Sequence, residues 1–272
     1  MSSATHATPS PRRKIEYLSR PTAVSMADSW FDIAALDHFW VRRRFQVLQK
    51  LSDNLIRTSG ELAEIGCGHG LLQKQVEDAY RRQVTGFDLN EYALQHNVSR
   101  QSRVCCYDIF QKSEALRGRF DLIFLFDVLE HITDEDSFLE ALVFHLAPGG
   151  SLVMNVPAGQ WAFSPYDEAA GHVRRYSIEM MRQVAVRSGL FVESWSYWGL
   201  PLVPSLMLRT VWLIGQNDQR KIIRAGFDSR SPIINSAMNA ISQMEMIPQR
   251  LMGTSLMAVL QRESLGGLDA GR

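Results

Sequence analysis

Between residues 61 and 197, short apolar runs alternate with stretches of helical periodicity, and no other property of the sequence limits the fold as strongly. The runs cover 61–65, 83–88, 104–107, 120–126, 151–156 and 191–197, and helical periodicity fills 71–80, 90–100, 134–146 and 178–188. Runs so short and so apolar read as strands buried on both faces, and a helix between two strands is the crossover that parallel pairing needs. An α/β domain is therefore expected. Phe39, Trp40, Phe45, Leu48 and Leu51 recur near helical spacing over 37–51, which places an amphipathic helix ahead of the first strand. A last strand is read over 253–261. At 272 residues and 46% hydrophobic side chains, the chain can bury one core of ordinary size with about 70 residues to spare.

The spare residues lie at the ends and in one insertion. Residues 1–20 read as a disordered lead-in, 21–200 with 253–262 as the domain, 201–252 as a helical insertion and 263–272 as a loose tail. In the insertion, 205–214 and 234–246 read as helices joined by a charged stretch through Asp218, Arg220, Lys221 and Arg224. Trp212, Met238, Met244 and Met246 are expected to be helix core rather than a ligand pocket. The longest apolar stretch, 199–215, is broken by Pro201, Pro204 and Arg209 and is too short to span a bilayer.

Lys+Arg and Asp+Glu number 29 each, so the chain as a whole offers no attraction to nucleic acid or to an acidic membrane. The three cysteines, Cys67, Cys105 and Cys106, match no zinc spacing, and two are adjacent, so they could not easily bridge each other. They read as buried packing in a reducing, cytoplasmic setting, with no metal.

The chemistry concentrates in Glu64-Ile65-Gly66-Cys67-Gly68-His69-Gly70, between the first run and the following helix. Missing side chains there let a ligand approach the backbone. A dinucleotide fingerprint would carry its third glycine where Leu71 stands, which speaks against a nicotinamide oxidoreductase. An acid beside the turn suits a ligand with a cationic amino group or sulfonium. Asp88 ends the second run, where a carboxylate can accept from both hydroxyls of a ribose, and Asp108 follows the third, placed for an adenine amino group.

Taken in order, Leu62 to Gly70, Gly86-Phe87-Asp88, Phe120-Asp121-Leu122-Ile123, Asp127-Val128-Leu129-Glu130-His131-Ile132 and Leu146-Ala147-Pro148-Gly149-Gly150 resemble the motifs of class I S-adenosylmethionine-dependent methyltransferases. The branch that the chain resembles includes the ubiquinone and menaquinone biosynthesis enzymes. His38-Phe39-Trp40 with Arg44, and the 167–177 segment Asp-Glu-Ala-Ala-Gly-His-Val-Arg-Arg-Tyr-Ser, resemble a subgroup whose members share no single acceptor. The resemblance implies a Rossmann-like, seven-strand, mostly parallel sheet with its last strand antiparallel, and S-adenosylmethionine as cofactor. It implies that Gly66, Cys67 and Gly68 hold the methionine part of the cofactor near Glu64. Asp88 with Leu89 would meet the ribose, Asp108 with Ile109 the adenine, and Phe126 and Asp127 the sulfonium. Arg44 is expected to pair with the cofactor carboxylate, because a guanidinium fork matches that group.

The expected reaction is methyl transfer to a small-molecule or lipid-linked acceptor, with O-methylation favoured and N- or C-methylation or a non-catalytic docking subunit as alternatives. His172 and His131 are the candidate bases and Asp167 would orient an imidazole. Tyr166, Arg174, Arg175 and Tyr176 are candidate acceptor contacts, although one of the two arginines should only fix the loop. His131 could equally cap or pair locally, and Asp121 reads as structural. A nucleic-acid acceptor is disfavoured, because Phe126-Asp127-Val128-Leu129 replaces the tetrad of nucleic-acid amino methylases. The 205–214 helix could pair in a homodimer, pack internally, or rest on a bilayer as peripheral contact, the last being least favoured.

Overall fold

The computed structural model describes residues 14–22, 35–216, 218, 222 and 231–263. Its strands are β1 (Glu16–Tyr17), β2 (Leu62–Ile65), β3 (Thr85–Asp88), β4 (Val104–Cys106), β5 (Phe120–Phe126), β6 (Leu146–Pro157), β7 (Leu190–Trp198) and β8 (Ser255–Arg262). The helices are α1 (Phe39–Thr58), α2 (Leu71–Tyr80), α3 (Glu91–Gln95), α4 (Glu135–His145), α5 (Pro165–Ala169), α6 (Ile178–Arg187), α7 (Val203–Leu213) and α8 (Pro232–Ser242). One sheet takes the order β1-β4-β3-β2-β5-β6-β8-β7. Pairing is parallel from β1 to β6, and β8 runs antiparallel to both β6 and β7. The Rossmann-like sheet with an antiparallel last strand is as the sequence led us to expect.

The period of two in β5 divides the core between the faces. Ile123 and Leu125 pack with Phe138 and Leu142 of α4 and Met181 of α6. Leu122, Phe124 and Phe126 pack with Val47 and Leu48 of α1 and Leu72 and Val76 of α2. Burial on both sides is why the strand reads as an unbroken apolar run.

Three expectations need correction. The sheet has eight strands, not seven, because part of the supposed lead-in pairs with it: the amides of Leu18 and Ser19 donate to the Cys106 carbonyl at 2.9 and 3.0 Å. Two residues carry no periodicity, so only the open edge of β4 reveals that pairing. The helix expected over 90–100 stops at Gln95 because side chains beyond it find better partners. Asn97 Nδ2 donates to Gln73 Oε1 at 2.7 Å, and the Glu77 carboxylate accepts from the amides of Arg100, Gln101 and Ser102 at 2.7–2.9 Å. Within the insertion, Trp212, Met244 and Met246 are exposed rather than helix core, Met246 at 84%, while Met238 faces inward onto a cavity.

The insertion is clamped to α1. Asn235 Oδ1 accepts from the Phe39 amide at 2.8 Å and its Nδ2 donates to the Asp37 carbonyl at 3.0 Å. Arg43 donates to the Glu245 carbonyl at 3.0 Å, and the Glu245 carboxylate accepts from the amides of Gly199 and Leu200 at 2.8 and 3.0 Å. Thus α1 and the insertion are held together beside the carboxyl ends of β5 and β6. On α7, Met207, Leu208, Val211 and Trp212 point outward while Leu206 and Leu213 are buried. Among the described residues no helix is long and apolar enough to cross a membrane. Residues 1–13 and 264–272, and Arg220, Lys221 and Arg224 of the charged stretch, lie outside the described residues.

Candidate active site

Ligands of open α/β sheets bind at the carboxyl ends of the strands, and the glycine turn after β2 lies there. Gly66, Gly68 and Gly70 all have positive φ, 74°, 53° and 78°, which side chains rarely tolerate. The amides of Gly66 and Cys67 donate to the Phe87 carbonyl at 2.8 and 3.1 Å, pulling the turn over β3. A Cβ on Gly66 would lie 2.4 Å from Val128 Cγ2. Asp88 accepts from the Gly68 amide at 2.7 Å and the Asn90 amide at 2.8 Å, one bond on each oxygen, so each keeps capacity for a further donor. Burial raises the Asp88 pKa against the pull of those amides.

Glu64 is buried, and its Oε2 finds no hydrogen-bond partner among the described residues. Burial pushes its pKa up to about 8; Arg44 opposes the rise and the carboxylates of Asp88 and Asp127 add to it. Asp127 takes φ +57° where the chain leaves β5, a conformation costly for a residue with a Cβ. Its carboxylate accepts from Arg44 Nη1 at 2.5 Å and from Asn155 Nδ2 at 2.8 Å, and Trp198 Nε1 donates to Asn155 Oδ1 at 2.9 Å. The Arg44 guanidinium stacks between the rings of Trp40 and Phe126, 4.8 and 5.0 Å from their centroids. Arg44 therefore spends one nitrogen on Asp127 rather than standing wholly open to a ligand carboxylate, while its buried Nε lacks a hydrogen-bond partner among the described residues.

Asp108 Oδ1 accepts from the Phe110 amide at 3.0 Å, and its own amide donates to Ser19 Oγ at 2.9 Å. The Leu89 carbonyl accepts from the Thr22 amide at 3.1 Å, so residues 16–22 run along the carboxyl ends of β3 and β4. Ile109 and Cys67 are buried, and their side chains pack into apolar clusters. The inward packing of the Cys67 side chain accords with a contact through its backbone, and Ile109 likewise turns its side chain away from the cleft.

Beside this cleft is a cavity of about 320 Å³. Asp127, Glu130, His131 and His172 face it from the sheet side, and Trp40, Leu206 and Met238 from α1 and the insertion. The 164–176 segment forms one wall. Asp167 is fully buried, held by the Ser164 amide and hydroxyl, both at 2.9 Å, and by Arg175 Nε and Nη2 at 2.8 and 3.1 Å. It also takes His172 Nδ1 at 3.0 Å. Burial alone would raise the Asp167 pKa, but His172 and Arg175 outweigh it and the net direction is down. The His131 ring packs edge-on to His172 at 4.8 Å, with Nδ1 3.3 Å from the Gly171 carbonyl. Burial, with His172 adding to it, lowers the His131 pKa to about 4.

His172, His131, Asp167, Tyr166 and Arg175 therefore come together, but Arg174 and Tyr176 do not. Tyr176 is fully buried in the core, its hydroxyl bonded to Glu135 and, at 3.3 Å, to the Leu129 carbonyl. Arg174 pairs with Glu135 at 2.7 Å and donates to the Thr133 carbonyl at 3.2 Å. Both fix the loop to α4, so neither is an acceptor contact. Sequence reasoning missed Asn155, Trp198, Glu130 and Arg209. A lone polar Asn155 inside the apolar run of β6 was the one available signal. Arg209, whose guanidinium lies 4.3 Å over the Tyr166 ring, reaches the cavity only through the fold.

The sheet order, the glycine turn and the carboxylates closing β3 and β5 define a class of enzyme domain that binds an adenosyl amino acid. Residues 36–195 match the family described as a methyltransferase domain. The chain belongs to that family and is a class I S-adenosylmethionine-dependent methyltransferase domain. It is 29% identical over 167 residues to a probable S-adenosylmethionine-dependent methyltransferase of Mycolicibacterium smegmatis, covering 58% of this chain and 62% of that protein. It is 31% identical over 98 residues to a ubiquinone biosynthesis O-methyltransferase of Idiomarina loihiensis, covering 34% of this chain and 40% of that one. The matches thus span less than two thirds of these relatives. A crystal structure of a candidate sarcosine dimethylglycine methyltransferase from Galdieria sulphuraria superposes with a TM-score of 0.55 at 11% identity, over 82% of this chain and 86% of that one. At that identity the likeness is one of fold.

The residues present fit the cofactor. The orphaned Glu64 oxygen offers a buried acceptor to a cationic amino group, Asp88 retains capacity for two hydroxyls, and the turn at Gly66 is bare of Cβ where Val128 closes over it.

Proposed function

We propose that this chain transfers a methyl group from S-adenosylmethionine to a hydroxyl oxygen of a small-molecule or lipid-linked acceptor held in the 320 Å³ cavity. The observation that carries the reading is the buried Asp167 carboxylate on His172 Nδ1 at the cavity wall. The contact fixes the tautomer and leaves Nε2 to accept a proton, which an oxygen nucleophile must lose and an amine need not. The cofactor supplies a methyl group already activated on a cationic sulfur. The chain's own task is to hold acceptor and donor in line and to exclude water, which contributes most of the rate in such transfers.

The parts divide as follows. Gly66 to Gly68, Glu64 and Asp88 bind the amino acid and ribose, and Asp108 serves the adenine edge. Asp127 and Phe126, at the end of β5, border the cleft on its cavity side. Trp40, Leu206 and Met238 give the acceptor an apolar bed, while Arg209 lines the same cavity with a cationic group for a polar end. The O-methyltransferase named among the relatives supports oxygen as the accepting atom. Asp88→Ala should abolish S-adenosylhomocysteine binding by calorimetry. His172→Ala should keep that binding and lower labelled-methyl turnover by roughly 10²–10⁴. Normal turnover by the His172 variant would end the general-base assignment.

A further inference from the structure

Glu130, His131 and His172 each turn one donor atom toward the others, all within 4.8 Å of one another, at the wall of the cavity. We propose that these three side chains form a binding site for one divalent transition-metal cation, with its open coordination positions facing the acceptor. The inference deepens the proposed function in that it rests on the cavity being the acceptor site.

Three features distinguish this cluster from polar residues that merely share a pocket. Glu130 is 1% exposed, and its Oε2 has no hydrogen-bond partner among the described residues. A buried carboxylate oxygen without a donor is costly unless a cation or a donor answers it. Both histidines, furthermore, are oriented from behind. His172 Nδ1 lies 3.0 Å from the Asp167 carboxylate and His131 Nδ1 lies 3.3 Å from the Gly171 carbonyl, so each imidazole has Nε2 left as its donor. A carboxylate or carbonyl holding the far nitrogen is the arrangement that orients metal-bound histidines. Asp167 is itself fixed by Arg175 and Ser164 and cannot swing away. Lastly, the three ligands come from two places that only the fold joins: the 3-10 turn Leu129–His131 and the loop after α5. The Val173 amide, which donates to the Glu130 carbonyl at 2.8 Å, ties the two together.

Two imidazoles and one carboxylate suit a borderline cation such as Zn²⁺, Co²⁺ or Fe²⁺ better than Mg²⁺ or Ca²⁺, which prefer all-oxygen sets. Three protein ligands leave at least one position open, as in catalytic rather than structural sites. A cation held there would acidify an acceptor hydroxyl so that its proton passes to bulk solvent, and the resulting oxyanion would take the methyl group as S-adenosylhomocysteine leaves. Metal-free protein relies on His172 to remove the same proton.

Chelator-treated protein titrated with Co²⁺ should develop visible d–d bands that saturate at one equivalent, with a Kd in the micromolar range or below. Glu130→Gln, His131→Asn and His172→Asn should each abolish the bands, and Asp167→Asn should weaken binding by roughly 10–100-fold. Every variant must still bind S-adenosylhomocysteine, which reports an intact fold. Where a variant fails that control, Zn²⁺ displacement of Co²⁺ from the native protein, together with proton release on binding, decides the matter. Bands that do not saturate at one equivalent, or that survive in the three ligand variants, overturn the proposal. Absence of Co²⁺ bands from the native protein, with turnover lost in His172→Ala, sinks the metal site and leaves the general base.

Discussion

Replacing Glu64 by Gln should move stability and cofactor affinity in opposite directions. The Glu64 carboxyl is buried with one orphaned oxygen, and its pKa rises from 4.5 to about 8, first through burial. The native state therefore holds a proton over a pH range in which the unfolded chain has released it. An acid with a raised native pKa contributes stability that is intact below about 4.5 and is lost as pH rises through 8. At ~1.4 kcal/mol for each tenfold, the full loss approaches about 5 kcal/mol above pH 8, which Glu64→Gln would recover in part. A ligand whose cationic amino group needs the ionised carboxylate must first expel that proton. With a pKa of about 8, affinity for S-adenosylhomocysteine should fall about tenfold at pH 7 and about a hundredfold at pH 6 relative to pH 9 and above. The Gln variant should bind weakly throughout, so the ratio of variant to native Kd is largest at pH 9 and shrinks toward pH 6. Calorimetry from pH 6 to 9, repeated in buffers of different ionisation enthalpy to count released protons, reads this directly, and thermal unfolding over the same range reads the stability arm. Equal affinity of the two proteins at pH 9, or a variant less stable than the native chain there, would refute the reasoning.

Asp167→Asn leaves Arg175 buried opposite a neutral amide, so it should cost about 3–5 kcal/mol at pH 7 by denaturant unfolding. Because the Asp167 pKa is lowered in the folded protein, that contribution is present above the unfolded value of 3.8 and fades as pH falls below it; a difference constant down to pH 2 would count against the pairing. Gly66→Ala places a Cβ at φ +74° and 2.4 Å from Val128 Cγ2. It should destabilise by about 1–3 kcal/mol and weaken S-adenosylhomocysteine binding, with partial recovery in Gly66→Ala/Val128→Ala; failure of the double variant to recover would show that φ alone sets the cost.

The cofactor half of the site was legible because its ingredients are local. Glu64, the glycine turn and Asp88 lie at the ends of two strands joined by one helix, and strand-turn-helix order alone brings them to the same edge. The acceptor half was only partly legible. His172, Asp167 and Arg175 stood out as a charged loop, yet the same loop offered Arg174 and Tyr176 with equal claim. Which of two adjacent arginines turns inward depends on Glu135, a residue of α4, and local sequence holds no record of that contact. Exposure of the insertion was misread for a related reason. Apolar spacing identifies a helix and its stripe, but Met244 and Met246 stay exposed among the described residues.

By itself the sequence determined the α/β alternation, which follows from periodicity, and, through motifs made of residues close in the chain, the resemblance that implied the cofactor and the class of reaction. Only the tertiary structure decided that residues 16–17 extend the sheet, that Arg44 sits on Asp127, and that Asn155 and Trp198 support it. It also decided that Glu130 and His131 from one turn meet His172 from another. Such contacts join segments dozens of residues apart, and their energies come from burial and from hydrogen bonds completed only when the core closes.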